Sequence, residues 1–301
     1  MTTIDYSKVE EYVEYLEKHG RRPSTVKNNR MILRRITRTL AGGGRPTDPT
    51  EISEDDAWWL YAQLSTEMTE ATLRLYFGEF SRFSEFFGRT HWSRSLNILY
   101  NRTEPTRVWI NIHQFGELYR QAGPTDRLIL VLGAFMGLRR MEISGLTDAD
   151  IDLKTMTMTV RGKGHGPDGL VEHMEIPADV AAEIQRFREI VEADGHPRQD
   201  GRVVQALHNG EWTSLNPNRV YIHLKELGRR TGINVTTHSL RRLYATTLVN
   251  EVGADFDTVR RLMRHADITT TLRCYVDADP RRMMAAQSGL SSILQGAISG
   301  I

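Results

Sequence analysis

Arg139, Lys163, His238, Arg241, His265 and Tyr275 follow one another in an order that suits the breaking and remaking of a phosphodiester. Arg139 sits in Gly137-Leu138-Arg139-Arg140-Met141-Glu142, and Lys163 in Arg161-Gly162-Lys163-Gly164. His238 and Arg241 share the run His238-Ser239-Leu240-Arg241. His265 follows Leu262-Met263-Arg264, and Tyr275 comes ten residues after His265. A phosphodiester under attack gathers negative charge on its non-bridging oxygens. An arginine meets two such oxygens with a rigid fork and stays charged at any working pH. Two forks, Arg139 and Arg241, suit a clamp that stabilises the transition state. A lysine on a loop tip can protonate a departing 5′ oxygen. Either histidine can take the proton of the attacking phenol or hydrogen-bond the phosphate. A tyrosine attacks only when its proton is removed or its target is activated, and this set offers both. The chemistry needs no metal and no nucleotide.

Taken together, these residues resemble the catalytic set of the tyrosine recombinases, the phage-integrase and Xer-type family. The resemblance is strongest from about Gly133 to Asp277 and weaker over residues 5 to 100. It makes Arg139 the first catalytic arginine of a Gly-Leu-Arg-x-x-Glu pattern, with Glu142 orienting its neighbours. It puts Lys163 at the tip of a β-hairpin, His238 and Arg241 on a helix, His265 as the second histidine and Tyr275 as the nucleophile. Two positions depart from the pattern. Arg264 stands where the family usually has glycine, either crowding the turn or adding a phosphate contact. Cys274 precedes Tyr275 and raises a question of register, which the ten-residue spacing answers in favour of the tyrosine. Each motif alone is weak, since a lone His-x-x-Arg is mostly surface charge and Gly-Lys-Gly is a basic turn. The signal lies in order and spacing. Arg140, Arg242 and Arg261 are left as surface or DNA-backbone residues.

Composition narrows the class. The chain has 301 residues, 40% hydrophobic and 26% charged, an ordinary globular balance with room for two domains. No apolar run approaches a membrane span, and the first residues lack the apolar core of a signal peptide. A single cysteine cannot form an internal disulfide and fits a reducing cytoplasm, where a DNA-associated protein is expected. Ten histidines show no His-Glu-x-x-His, there is no Cys-x-x-Cys, and no phosphate-binding glycine loop is present; no metal and no cofactor are expected. The net charge of +1 gives no support for nucleic acid by itself, so a DNA-binding face requires segregated charge.

The elements that must position these residues are mostly helical. Val9, Tyr12, Val13 and Leu16 repeat at helical spacing up to Gly20. A second helix follows Pro23, with Val26, Leu33, Ile36 and Leu40 inward and a stripe of Lys27, Arg30, Arg34 and Arg38 on another side. That stripe reads as a phosphate-backbone contact or as a solvated basic face. Ser53 to Asp56 resembles a capping box ahead of Trp58 and Trp59. Leu73, Tyr76, Phe77, Phe80, Phe83 and Phe87 form an aromatic packing stripe, and a further helix is expected near Ser93–Tyr100. Beyond a polar, proline-bearing stretch, Leu128 to Leu132 begins a buried helix that stops at Gly137. Met156 to Val160 pairs with Leu170 to Ile176 across the Lys163 turn, Val203-Val204 adds a short third strand, and the rest from Ala178 onward is helical. The expected fold is mainly α with a small antiparallel β-sheet. It comprises a helical core-binding, DNA-binding domain at 1–102, a linker at 103–108 and a recombinase catalytic domain at 109–301. The apolar run from Pro280 to Ile298 contacts a neighbouring protomer by resemblance, or folds onto its own domain.

The expected activity is site-specific recombination through a 3′-phosphotyrosine intermediate, carried out by a homo-tetramer on double-stranded DNA recombination sites, away from membranes. Two alternatives are a type IB topoisomerase-like relaxing enzyme and a non-catalytic DNA-binding protein on the same fold. The target sequence is not legible in the chain.

Overall fold

The computed structural model describes residues 4–89, 108–162 and 170–264. The helix expected near Ser93–Tyr100, residues 103–107 of the expected linker, Lys163, His265, Tyr275 and the run from Pro280 lie outside the described residues. The chain divides into two compact units, Met1–Thr106 and Arg107–Ile301.

In the first unit, α1 (Ser7–Lys18), α2 (Pro23–Gly42), α3 (Glu54–Ser65) and α4 (Glu70–Phe86) pack around one apolar core. Pro23 starts α2 at a position where its missing N–H costs nothing. Val26, Leu33, Ile36 and Leu40 are buried on the expected face of α2, with Ile32 beside them. Ser53 caps α3, accepting from the Asp56 backbone while the Asp56 carboxylate accepts from the Ser53 backbone at 3.0 Å. Along α4, Leu73, Phe77, Phe80 and Phe83 are buried, while Tyr76 and Phe87 pack against the edge of the core. The aromatics meet edge-on, as in Phe77–Phe80 at 6.1 Å between ring centres.

The second unit begins with α5 (Ile112–Gln121) and α6 (Pro124–Ala134). Leu128 to Leu132 is buried without a break, so α6 is enclosed on all sides. The helix starts earlier than expected, at Pro124, and ends at Ala134. Gly137 then turns the chain at φ +59, and a Cβ there would come within 2.6 Å of the Tyr244 ring, so the position demands glycine. Short α7 (Arg140–Gly145) follows.

The sheet is antiparallel, in the order β1 (Ile151–Asp152), β2 (Thr157–Gly162), β3 (Leu170–Glu175). Gly162 pairs with Leu170 and Thr157 with Glu175. The third strand is Ile151-Asp152 rather than Val203-Val204, whose side chains are buried while the Val203 N–H reaches Leu146 O. After α8 (Ala178–Asp194) comes a second hairpin, β4 (Gln205–His208) with β5 (Glu211–Ser214), in a stretch expected to be helical. Helices α9 (Pro217–Thr231), α10 (Thr237–Asn250) and α11 (Phe256–Leu262) complete the described part.

Candidate active site

Three elements carry the described candidates. Arg139 is the residue before α7, and its position follows from Glu142, three residues into the turn. The Glu142 carboxylate accepts the Arg139 backbone N–H through Oε2 at 2.8 Å and the Arg139 Nη1 through Oε1 at 2.7 Å. Glu142 therefore caps the helix and holds the guanidinium in one gesture. His238 and Arg241 lie in α10, three residues apart and on neighbouring positions of one face. Thr236 caps that helix, accepting from Ser239 N at 3.0 Å. Gly133 lets α10 approach α6 closely, since a Cβ there would meet Leu240 at 2.8 Å.

Arg241 is buried, 4% exposed, and spends donors on backbone oxygens. Its Nη1 donates to Gly137 O and its Nη2 to Met263 O. Arg139 Nη2 donates to Arg264 O at 3.1 Å. Thus the carbonyls of two successive residues, Met263 and Arg264, receive one guanidinium each. Arg139 and Arg241, far apart in sequence, are brought together on the turn that ends α11.

That turn is held by an unexpected residue. Arg264 has φ +53, a left-handed conformation that costs a non-glycine residue roughly 1–3 kcal/mol. Its side chain is turned inward, with Nη2 2.7 Å from Glu142 Oε2 and 3.3 Å from Gly137 O. Nη1 lies 2.9 Å from Met174 Sδ, and Nε 3.7 Å from Glu172 Oε2. The Nη donors of Arg264 face protein groups, while its buried Nε makes no hydrogen bond among the described residues. Burial alone would raise the Glu142 carboxyl; the charge of Arg264 and the donors of Arg139 outweigh it and hold it below the ordinary range.

His238 is biased towards its neutral form. Burial depresses its pKa, and the charges of Arg242, Arg241, Arg140 and Arg139 push in the same direction. A neutral imidazole beside arginines can accept a proton or donate one N–H to an oxygen. Arg242 donates to Val108 O at 3.2 Å and lies over the Trp109 ring. Arg140 lies over Tyr221, and Arg261 pairs with Asp257 at 2.8 Å. The hairpin also reaches this place: a Cβ on Gly162 would stand 3.5 Å from Glu142 Oε1.

In the first unit, Lys27, Arg30, Arg34 and Arg38 line one surface groove with Arg35, Glu67 and Tyr76. Arg30 and Arg34 are not bare. Glu10 of α1 takes Arg30 Nε at 3.0 Å and Arg34 Nη2 at 2.7 Å, and Glu17 lies 3.5 Å from Arg30. Residue spacing pointed to the stripe but not to the carboxylates that meet it. Likewise, sequence motifs indicated Arg139, His238 and Arg241 but not the carbonyls of Gly137, Met263 and Arg264, which carry no side-chain signal.

The phage integrase family model matches residues 111–282. This chain belongs to that family. It is an enzyme of the tyrosine recombinase type. The tyrosine recombinase XerA of Thermococcus onnurineus is 28% identical over 273 residues, covering 87% of this chain and 88% of the relative. XerA of Pyrococcus furiosus is 29% identical over 277 residues, with 89% of each chain covered. The fold matches that of the Tn1549 transposon integrase in complex with circular intermediate DNA, with a TM-score of 0.71 at 18% identity over 94% of this chain and 99% of that one. It also matches a lambda integrase dimer bound to a core site, with a TM-score of 0.68 at 15% identity over 88% and 96%. A mainly helical fold with small antiparallel sheets is the architecture of these structures. Among the described residues no helix is long and apolar enough to cross a membrane, and no group of three or more His, Cys, Asp or Glu could hold a metal.

Proposed function

We propose that the chain is a site-specific recombinase that cuts and rejoins double-stranded DNA through a 3′-phosphotyrosine intermediate. The Tyr275 oxygen attacks the phosphorus as its proton passes to His238 or His265. The bond to the 5′ oxygen breaks, and Lys163 protonates that oxygen. Arg139 and Arg241 hold the two non-bridging oxygens while charge builds on them. Attack by a 5′ hydroxyl of another strand reverses the step and releases Tyr275. The observation that carries this reading is the tethering of Arg139 and Arg241 to one turn, Met263–Arg264, with His238 one turn before Arg241 on the same helix. Names of relatives and of DNA-bound fold neighbours support the substrate class. In this reading residues 1–102 form the core-binding domain, 103–108 the linker and 109–301 the catalytic domain. The groove lined by Lys27, Arg30, Arg34 and Arg38 holds backbone phosphates. Four protomers meet on two DNA sites, linked by the segment after Pro280, in the cytoplasm on the nucleoid.

The test is a DNA duplex nicked beside the scissile phosphate, incubated with protein and run on a denaturing gel. The wild-type chain is expected to give a covalent adduct, and Tyr275→Phe to give none while binding DNA with similar affinity. An adduct surviving in Tyr275→Phe moves the nucleophile elsewhere, with Cys274 first in line. Relaxation of supercoiled DNA lacking any specific site would favour a topoisomerase instead.

A further inference from the structure

Arg264 does something that a turn residue alone would not. Its backbone accepts a left-handed conformation, and its guanidinium is buried among Glu142, Gly137 O and the side chains of β3. The two carboxylate oxygens of Glu142 are divided by these contacts. Oε1 takes the Arg139 side chain, while Oε2 takes the Arg139 backbone and Arg264. Without Arg264, Glu142 would be a carboxylate buried against one partly exposed arginine and free to draw Arg139 onto both oxygens. Glu172 and Met174 alternate along β3 onto one side, where both approach Arg264, so the hairpin is fastened at the same point.

We propose that Arg264 is a positioning residue of the cleavage site, holding Glu142 Oε2 so that Oε1 aims Arg139, and tying β3 and the Gly137 turn to that carboxylate. This rests on the reading of Arg139 as a phosphate clamp. Arg264 acts through Glu142 rather than on phosphate, because its Nη donors are turned to Glu142, Gly137 O, Leu262 O and Met174. The ionisable groups around Glu142 are Arg139 at the start of its own helix, Arg264 on the turn after α11, and, one contact further out, Glu172 of β3 and Arg241 and Tyr244 of α10.

Two measurements on the full chain test this. The first is thermal unfolding against pH for wild type, Arg264→Gly, Glu142→Gln and the double variant. A depressed carboxyl contributes stability that is present above its ordinary value of 4.5 and is lost as pH falls through the folded value. Removing Arg264 raises that folded value, so the loss of stability on acidification below 4.5 should be smaller in Arg264→Gly than in wild type. Adding Arg264→Gly to Glu142→Gln should leave the acid limb as it is in Glu142→Gln alone. An acid limb identical to wild type in Arg264→Gly overturns the hold on Glu142. The second is single-turnover cleavage of the nicked duplex at saturating DNA, at a pH where every variant is folded. Arg264→Gly and Arg264→Lys should both cleave more slowly, on the order of tenfold to a hundredfold, with little change in DNA affinity, because misplacement of a catalytic group acts on the rate. Full-rate cleavage by Arg264→Gly means the residue is structural only, and full-rate cleavage by Arg264→Lys removes the need for a fork. If wild type itself makes no adduct, the recombinase reading fails while the unfolding series still decides whether Arg264 holds Glu142.

Discussion

Two arginine clusters in this chain solve the same pairing problem in different ways. On α2, Arg30 and Arg34 meet Glu10 across the helix surface, with all three side chains roughly a third to a half exposed. Around α7 and α10, Arg241 and Arg264 are buried, Glu142 is 4% exposed, and much of the pairing is to backbone carbonyls. Exposed pairs are worth little and are screened by salt, so their arginines can change partners at small cost. Buried pairs are costly to break, so their arginines keep one geometry. One region offers exchangeable charge, and the other offers fixed charge.

The comparison breaks first at its carboxylates. Glu142→Ala leaves Arg264 buried without its counter-charge and should lower unfolding free energy by about 3–5 kcal/mol, read from denaturant curves. Glu10→Ala in the same assay should lie within about 1 kcal/mol of wild type. Equal losses at the two positions would erase the distinction. Next comes Arg241→Lys, which keeps the charge and loses the fork. Single-turnover cleavage should fall by about 10²–10³, and near-normal cleavage would remove Arg241 from the clamp. A smaller effect is expected from Arg30→Ala with Arg34→Ala. Each lost phosphate contact should lower the slope of log affinity against log salt by about 0.9, alike on cognate and random DNA. An unchanged slope assigns the stripe to solvent. The smallest is a titration. His238 has a depressed pKa, so its contribution to stability is present above its ordinary 6.5 and is lost as pH falls through the lower folded value. Its ring proton signal should titrate with a midpoint below 6.5 in the free protein; a midpoint above that value would mean the arginines do not set its state.

How much could be read from the chain differs with the length of the signal. The α4 stripe of Leu73, Phe77, Phe80 and Phe83 was legible because about three turns repeat one period against one core. The β2–β3 pairing was legible from the alternation of Met156 to Val160 and the run Leu170 to Ile176 that faces it. The β4–β5 hairpin was not, because each strand has four residues, too few to show a period of two. Its turn did carry a signal: Asn209-Gly210, both with positive φ, is the dipeptide a tight hairpin prefers. At the site, Arg139, His238 and Arg241 stood out by type and spacing. The inward turn of Arg264 did not, because an arginine in a left-handed turn gives no hint of what its side chain will meet 122 residues away at Glu142.

The carbonyl of Gly137 receives both Arg241 and Arg264, and a peptide oxygen has no proton to gain across the range in which proteins work. Acid should therefore dismantle the site in sequence. Arg139 loses its carboxylate partner when Glu142 takes up a proton, and is left with its contact to Arg264 O. Arg241, seated on peptide oxygens, stays in place until the chain itself unfolds. Arg139 is held in part by a group that acidity reaches, and Arg241 by groups that it does not.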